Sequence, residues 1–363
     1  MAADPSRVDL SGDVLCPLSL RVDELACMLN FEVADHPVYD GGELQWFDDE
    51  VHGTGMLVFL SRRDGRRVDY YLQSGLRVDR GGYEIGGGIG SWTEIDFEVG
   101  RLSVADDGVD AEVRFLDLDG RAVEVRVNDR DGRLRRPAGL LAPVSASIER
   151  PTSLLLVWMP RFDLLRTTGT LPVIRIAGVD VSTGRLPARG LHRRHLIKYA
   201  APVVAVEVNR THDGSLPAAP ADQQGGLDVA GGVREVTAEY AGHAARLLLE
   251  PELPDLAGLP DGSAASGRWL VEVDRVRLTG GSWSTARSGD DVTVAMDVDE
   301  RWTPGRLPWL MRLVTRVVPV FRRWPTTYRW RATVHLGAEP TMSACWERTG
   351  GDRGDGYRRA TRS

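Results

Sequence analysis

The chain has 363 residues, 42% hydrophobic and 27% charged, with 40 Gly, 20 Pro, three Cys and a formal net charge of −7. That length suits two domains and buries enough surface to fold without staples, and Cys16, Cys27 and Cys345 are too scattered for a disulfide framework or a Cys-rich zinc site. No apolar run reaches the roughly 18 residues of a membrane span, and the start MAADPSRVDLSGD lacks the order of a secretory signal, so a reduced, cytoplasmic setting is expected.

In chain order, residues 19–30 read as a short, ambiguous helical stretch. Apolar–polar alternation then marks a hairpin, with Gly55–Leu60 and Val68–Leu72 joined by Arg63-Asp64-Gly65-Arg66. Asp-Gly between two such runs is the strongest short-range hairpin signal. The same pattern recurs at Val109–Phe115 and Val123–Val127 around Asp119-Gly120, with a further turn at Asp131-Gly132. More strands are expected near 144–149, 152–158, 172–181, 195–199 and 202–208. Residues 216–232 carry no periodicity and read as a linker or long loop, within a Gly- and Pro-rich stretch that starts at about 211.

Beyond it, strands are expected near 233–240, 244–250, 267–279, 281–287, 291–300, 326–337 and 341–346. One amphipathic helix is predicted near 308–318. Pro308 suits a first helical turn, and Leu310, Leu313, Val314, Val317 and Phe321 fall at helical spacing. Pro319 should end or kink it. The tail 350–363 reads as disordered. Many short strands with almost no βα alternation predict an all-β, mainly antiparallel fold in two packed barrel or sandwich halves, at 1–215 and 233–349.

Candidate chemistry is thinly spread. The run Tyr83–Trp92 is Gly-rich, but an alternating strand follows where a phosphate loop needs a helix, so a bent or bulged strand is the better account. Glu84, Glu94 and Asp96 are acid–base candidates if their face lines a barrel lumen, and plain solvated side chains if it does not. The acidic turns at Asp117-Leu118-Asp119-Gly120 and Asp129-Arg130-Asp131-Gly132 lack the distal ligands of a calcium loop and read as hairpin turns.

Arginine makes up 44 of the 45 basic residues, and Lys198 is the one lysine. It lies in the only histidine cluster, His192-Arg193-Arg194-His195 followed by Lys198-Tyr199. On a strand, His195 and Tyr199 share a face while Lys198 looks the other way. Arg194, His195, Lys198 and Tyr199 are the anion-holding and catalytic candidates of this patch, against the plainer reading of a solvated basic loop.

Segment 301–338 holds eight arginines and no Asp or Glu, with Trp302, Trp309, Trp324, Tyr328 and Trp330 among them. Arginines interleaved with aromatics suit an anionic, partly apolar ligand or a membrane surface. Nucleic acid is the weaker option for so acidic a chain.

By fold analogy alone, on chain length and strand density, the pattern is similar to lipocalin-like barrels, including the paired barrels of carotenoid hydratases and related cyclases. The expectation is binding of a hydrophobic or amphipathic small molecule in a β-barrel cavity, with cofactor-free isomerisation, hydration or cyclisation as its enzymatic form and no metal or cofactor. Tyr71, Trp92, Arg194, Trp309, Trp324, Tyr328 and Trp330 are the ligand-binding candidates. The alternative is a peripheral protein docking on anionic membrane through 306–331; an exposed-Trp carbohydrate binder is a third reading with no specific motif.

Overall fold

A computed structural model describes residues 14–349 apart from 65–66, 82–88, 145–147, 167–169, 186–193, 217–226, 230, 305–306, 308–311, 314 and 317–318. The described chain is nearly all β, in three sheets of ten, five and nine strands. Three long strands run through the middle of the ten-stranded sheet. The first is β1 (Leu20–Leu25) continuing into β2 (Cys27–Glu32), the second β14 (Arg194–Ala200) continuing into β15 (Val203–Val208), and the third β11 (Leu154–Arg166). Leu25 pairs Val203 and Met28 pairs Ala200, three residues on along each strand, so one register carries through both halves of that pair. Residues 20–25 and 27–30 are therefore strand, not helix. Their apolar positions fit a two-residue period on either side of Ala26, and both faces are covered.

From β2 the sheet continues through β3 (Tyr39–Asp49), β4 (Gly53–Arg62), β5 (Arg67–Gln73) and β6 (Ile89–Ile95), while β10 (Ala138–Ala142) flanks β11. The β5–β6 pair is parallel, against the antiparallel rule elsewhere. Of the Gly-rich run only 89–92 is described, as part of β6 in continuous register with β5; at Gly90 an added Cβ would sit 2.1 Å from the Tyr70 ring.

The five-stranded sheet comprises β7 (Val99–Ala105), β8 (Gly108–Leu116), β9 (Ala122–Asn128), β12 (Val173–Ile176) and β13 (Val179–Asp180). The nine-stranded sheet is a meander, β17 (Leu227–Val229), β18 (Gly232–Tyr240), β19 (His243–Pro254), β20 (Ala264–Val273), β21 (Val276–Ser288), β22 (Asp291–Glu300), β23 (Tyr328–His335) and β24 (Thr341–Arg348), edged by β16 (His212–Ser215). β16, from the end of the stretch expected to be the first half, thus joins the nine-stranded sheet, and β17 lies inside the stretch expected to be a linker. The described residues of 144–149 form no strand. Helix α1 spans Pro319–Arg323, and Arg312, Leu313, Thr315 and Arg316 upstream are also helical; 317–318 between them lie outside the described residues.

Three cores result. The first packs the nine-stranded sheet on β1, β15 and the front of β11, and is filled by Trp269, Trp283, Trp330 and Trp346. The second lies between the five-stranded sheet and β2–β5 with the rear of β11 and β14. A third covers the other face of the ten-stranded sheet, with Met28, Phe47, Phe59, Tyr70 and Phe162, and is topped by Leu76, Trp302, Leu307 and Phe321. All three long strands change which residue parity faces the third core near mid-length: Leu25 and Met28, Val203 and Ala200, Met159 and Phe162 all face it.

An ionisable cluster at His243 ties the two halves, and a second at His52 lies within the first half. His243 lies between Glu24 (3.2 Å) and Asp274 (2.6 Å), and His52 between Asp23 (3.3 Å) and Asp49 (2.9 Å). Burial alone would lower the His52 pKa, but its two carboxylates outweigh that and raise it.

Candidate functional site

Directly opposed residues on neighbouring strands share a face. Following the pairings gives one row across seven strands: Leu164, Lys198, Asn30, Glu43, Phe59, Tyr70 and Trp92. Leu164, Phe59 and Tyr70 belong to the third core, so the row faces it. Its middle is polar and one flank aromatic. Phe59 lies 5.8 Å from Tyr70, and Tyr70 stacks on Trp92 at 4.3 Å, with the Arg80 guanidinium over the indole.

Glu43 is the most buried polar side chain of the row, 7% exposed. Asn30 Nδ2 donates to its Oε2 (3.1 Å) and Gln45 Nε2 to its Oε1 (2.6 Å). Burial pushes its pKa up to about 7, against the pull of Gln45, Asn30 and the charge of Lys198. Lys198 Nζ donates to Glu32 Oε1 at 3.0 Å, and both side chains are about one-third exposed, 31% and 33%. The arrangement descends from a partly exposed ion pair to a buried carboxyl whose pKa burial raises.

Most sequence candidates lie elsewhere. Lys198 is in the row and Trp92 at its end. His195 and Tyr199 face the second core, as strand alternation requires, so the patch written as Arg194-His195-Lys198-Tyr199 is split between two faces. His195 Nδ1 sits 2.9 Å from Thr183 Oγ1, and burial, then Arg185, lowers its pKa. The side chain of Arg194, and Glu84 and Trp309 entirely, lie outside the described residues. Glu94 and Asp96 are exposed, with Glu94 paired to Arg80; this is the solvated reading of that strand.

Tyr71 is in the second core, where its hydroxyl accepts the Leu118 N–H at 3.2 Å and burial lifts its pKa to about 12. Trp324, Tyr328 and Trp330 are buried in the first core and present no ring to solvent. The side chains of the first and second cores are buried against one another. Asp117-Leu118-Asp119-Gly120 is a hairpin turn, with Asp117 paired to Arg121, and no metal-binding group of His, Cys, Asp or Glu occurs among the described residues.

Glu43, Gln45 and Asn30 were not singled out by sequence. The available signal was Glu43 and Gln45 alternating with Leu44 and Trp46, which ordinarily means a wet face; here both faces are covered. No protein-family model, curated protein or solved structure matches the chain.

Proposed function

We propose that the protein binds a hydrophobic or amphipathic small molecule along this row. The apolar body lies against Phe59, Tyr70 and Trp92, and the polar end reaches Glu43, Asn30 and Lys198. In the enzymatic form Glu43 moves the proton of a cofactor-free isomerisation, hydration or cyclisation: protonated, it delivers to one substrate atom, and ionised, it takes a proton from another. The observation that carries this reading is a carboxyl with a pKa near 7, held by two amides beside the single lysine, on an otherwise apolar face. We place this activity in the cytoplasm, in keeping with three free cysteines.

Retinol and cis-parinaric acid, whose absorption overlaps indole emission, test it. The expected result is quenching that weakens in Trp92→Phe and an affinity whose pH midpoint near 7 disappears in Glu43→Gln. Absence of quenching by both probes, or an unchanged pH profile in Glu43→Gln, overturns it.

A second reading, docking on an anionic membrane through 306–331, is favoured by exposed Arg312, Arg316, Arg322 and Arg323 beside Leu313, which is 50% exposed. With Trp324, Tyr328 and Trp330 buried, such docking would rest on charge. Co-sedimentation with phosphatidylserine vesicles that is lost when the four arginines become Gln supports it, and indifference to vesicles removes it.

A further inference from the structure

Two polar plugs close the second core, one at each end, and each is built from tyrosine, two or more aspartates and two arginines. At the first, Tyr39 Oη donates to Asp117 Oδ2 (2.9 Å) and accepts from Arg121 Nη2 (3.2 Å). Arg121 Nε donates to Asp117 (2.7 Å), and Arg62 Nε to Asp69 (2.7 Å). None of these side chains has a buried nitrogen or oxygen without a partner.

The second plug sits where the β7–β8 turn and the β9–β10 loop meet β11 and β14. Asp129 accepts the backbone N–H groups of Val109 (2.8 Å) and Arg166 (3.1 Å). Arg135 Nε donates to the Asp107 carbonyl (2.7 Å) and its Nη2 to the Asp129 carbonyl, with Nη2 also 3.5 Å from Asp129 Oδ2 and 3.7 Å from Asp131 Oδ1. Arg166 Nη2 donates to Asp163 Oδ2 (3.2 Å), and Asp163 is the direct cross-strand neighbour of Tyr199.

Three groups here have no partner: Tyr199 Oη, Arg135 Nη1 and Arg166 Nε. Tyr199 is 3% exposed and the Arg135 side chain 3%. Two of the three atoms can only donate, and all belong to residues joined through Asp129 and Asp163. A buried donor left unpaired costs about 1–3 kcal/mol, and the first plug shows that this set of side chains can be satisfied internally.

The geometry points to a small-anion site in the second plug, taking a halide or the carboxylate of a small molecule through Tyr199 Oη, Arg135 Nη1 and Arg166 Nε. An acceptor-only guest is what donor-only atoms recognise. Two arginines are already balanced by Asp129 and Asp163, with Asp131 at the edge. Asp129, whose carboxyl burial holds above its ordinary range, can take the proton that offsets the added charge. The site lies on the face of the sheet opposite Glu43 and does not depend on the function proposed there.

Thermal unfolding of the full chain, with sodium gluconate exchanged for sodium chloride, formate or acetate at equal sodium concentration, tests it. Wild type should melt higher in one of the small anions than in gluconate, and Tyr199→Phe should lose that shift while melting at least as high in gluconate. A response to chloride alone assigns a halide site; a response to formate and acetate assigns a carboxylate site. Bromide-soaked crystals of the wild type should show an anomalous peak within hydrogen-bond distance of Tyr199 Oη, a readout independent of how the variant folds. Equal melting in all four salts or an equal shift in Tyr199→Phe overturns the assignment, as does the absence of a bromide peak where chloride gives the shift.

Discussion

The two plugs of the second core use the same side-chain chemistry and end differently. At Tyr39 every buried polar atom is paired, and two guanidinium groups also lie over the ring, at 5.7 Å and 5.4 Å. At Tyr199 three donors are left over. The first arrangement is closed: it fixes the β8–β9 turn on the long sheet, and a guest could only replace bonds already made. The second keeps capacity in reserve. Composition is thus a poor guide to receptivity, and the balance of donors against acceptors is a better one.

The comparison breaks most readily at Asp117. Asp117→Ala strips acceptors from Tyr39, from Arg121 and from the backbone N–H groups of Asp119 and Arg121. Removing one partner of a buried ion pair typically costs about 3–5 kcal/mol, so urea unfolding should show the largest loss of this set.

Glu43 is an intermediate case, a buried carboxyl with partners on both oxygens and yet an elevated pKa. The folded state holds its proton more tightly than the unfolded chain, so its contribution falls as pH rises from about 4.5 to about 7. At about 1.4 kcal/mol per pKa unit the loss is about 3 kcal/mol. Glu43→Gln should flatten that part of the melting-temperature profile; an unchanged slope would show that Glu43 does not titrate there.

Arg135→Met gives up the bonds to Asp107 and Asp129 but also removes one unpaired donor. Its cost should fall below that of Asp117→Ala, at about 1–3 kcal/mol by denaturant titration. The finest contrast lies between the two tyrosines. Tyr39→Phe loses a hydroxyl with three partners and should destabilise by about 1–2 kcal/mol, whereas Tyr199→Phe loses one with none and should be neutral in gluconate. Equal costs would erase the distinction between the plugs.

Much of the fold is legible in the residues because hairpins are local. Asp119-Gly120 and Asp64-Gly65 sit between alternating runs, and the strands around them fall where that pattern predicts. What escapes depends on distant partners. β3 is interrupted by Gly41-Gly42 and covered on both faces, so alternation loses its meaning there. The apolar positions of 19–30 fit helix and strand alike until the parity shift at Ala26 is known. Pro319 reads as a stop or a kink, and helix is described on both sides of 317–318, which lie outside the described residues.

At the candidate site, Lys198 stands out by being alone, a property of composition. Glu43 is one of many carboxylates, and only burial distinguishes it. The tryptophans of 324–330 suggest a ligand surface because Arg surrounds them, but strand alternation sends Trp330 inward and Arg329 and Arg331 outward.

The unbroken register of the long strands bears on how a guest could arrive. β1 with β2, and β15 with β14, each pass beneath both halves as one rod, with β11 alongside. A hinge between the halves would have to snap ladder pairs in all three rods at once, so the scaffold is mechanically a single girder. On the function proposed above, traffic to the Glu43 row would depend on side chains and crossing segments above the sheet, and severing the chain near Asn209 would strand the apolar flank of β1 and β15 in water instead of freeing two modules.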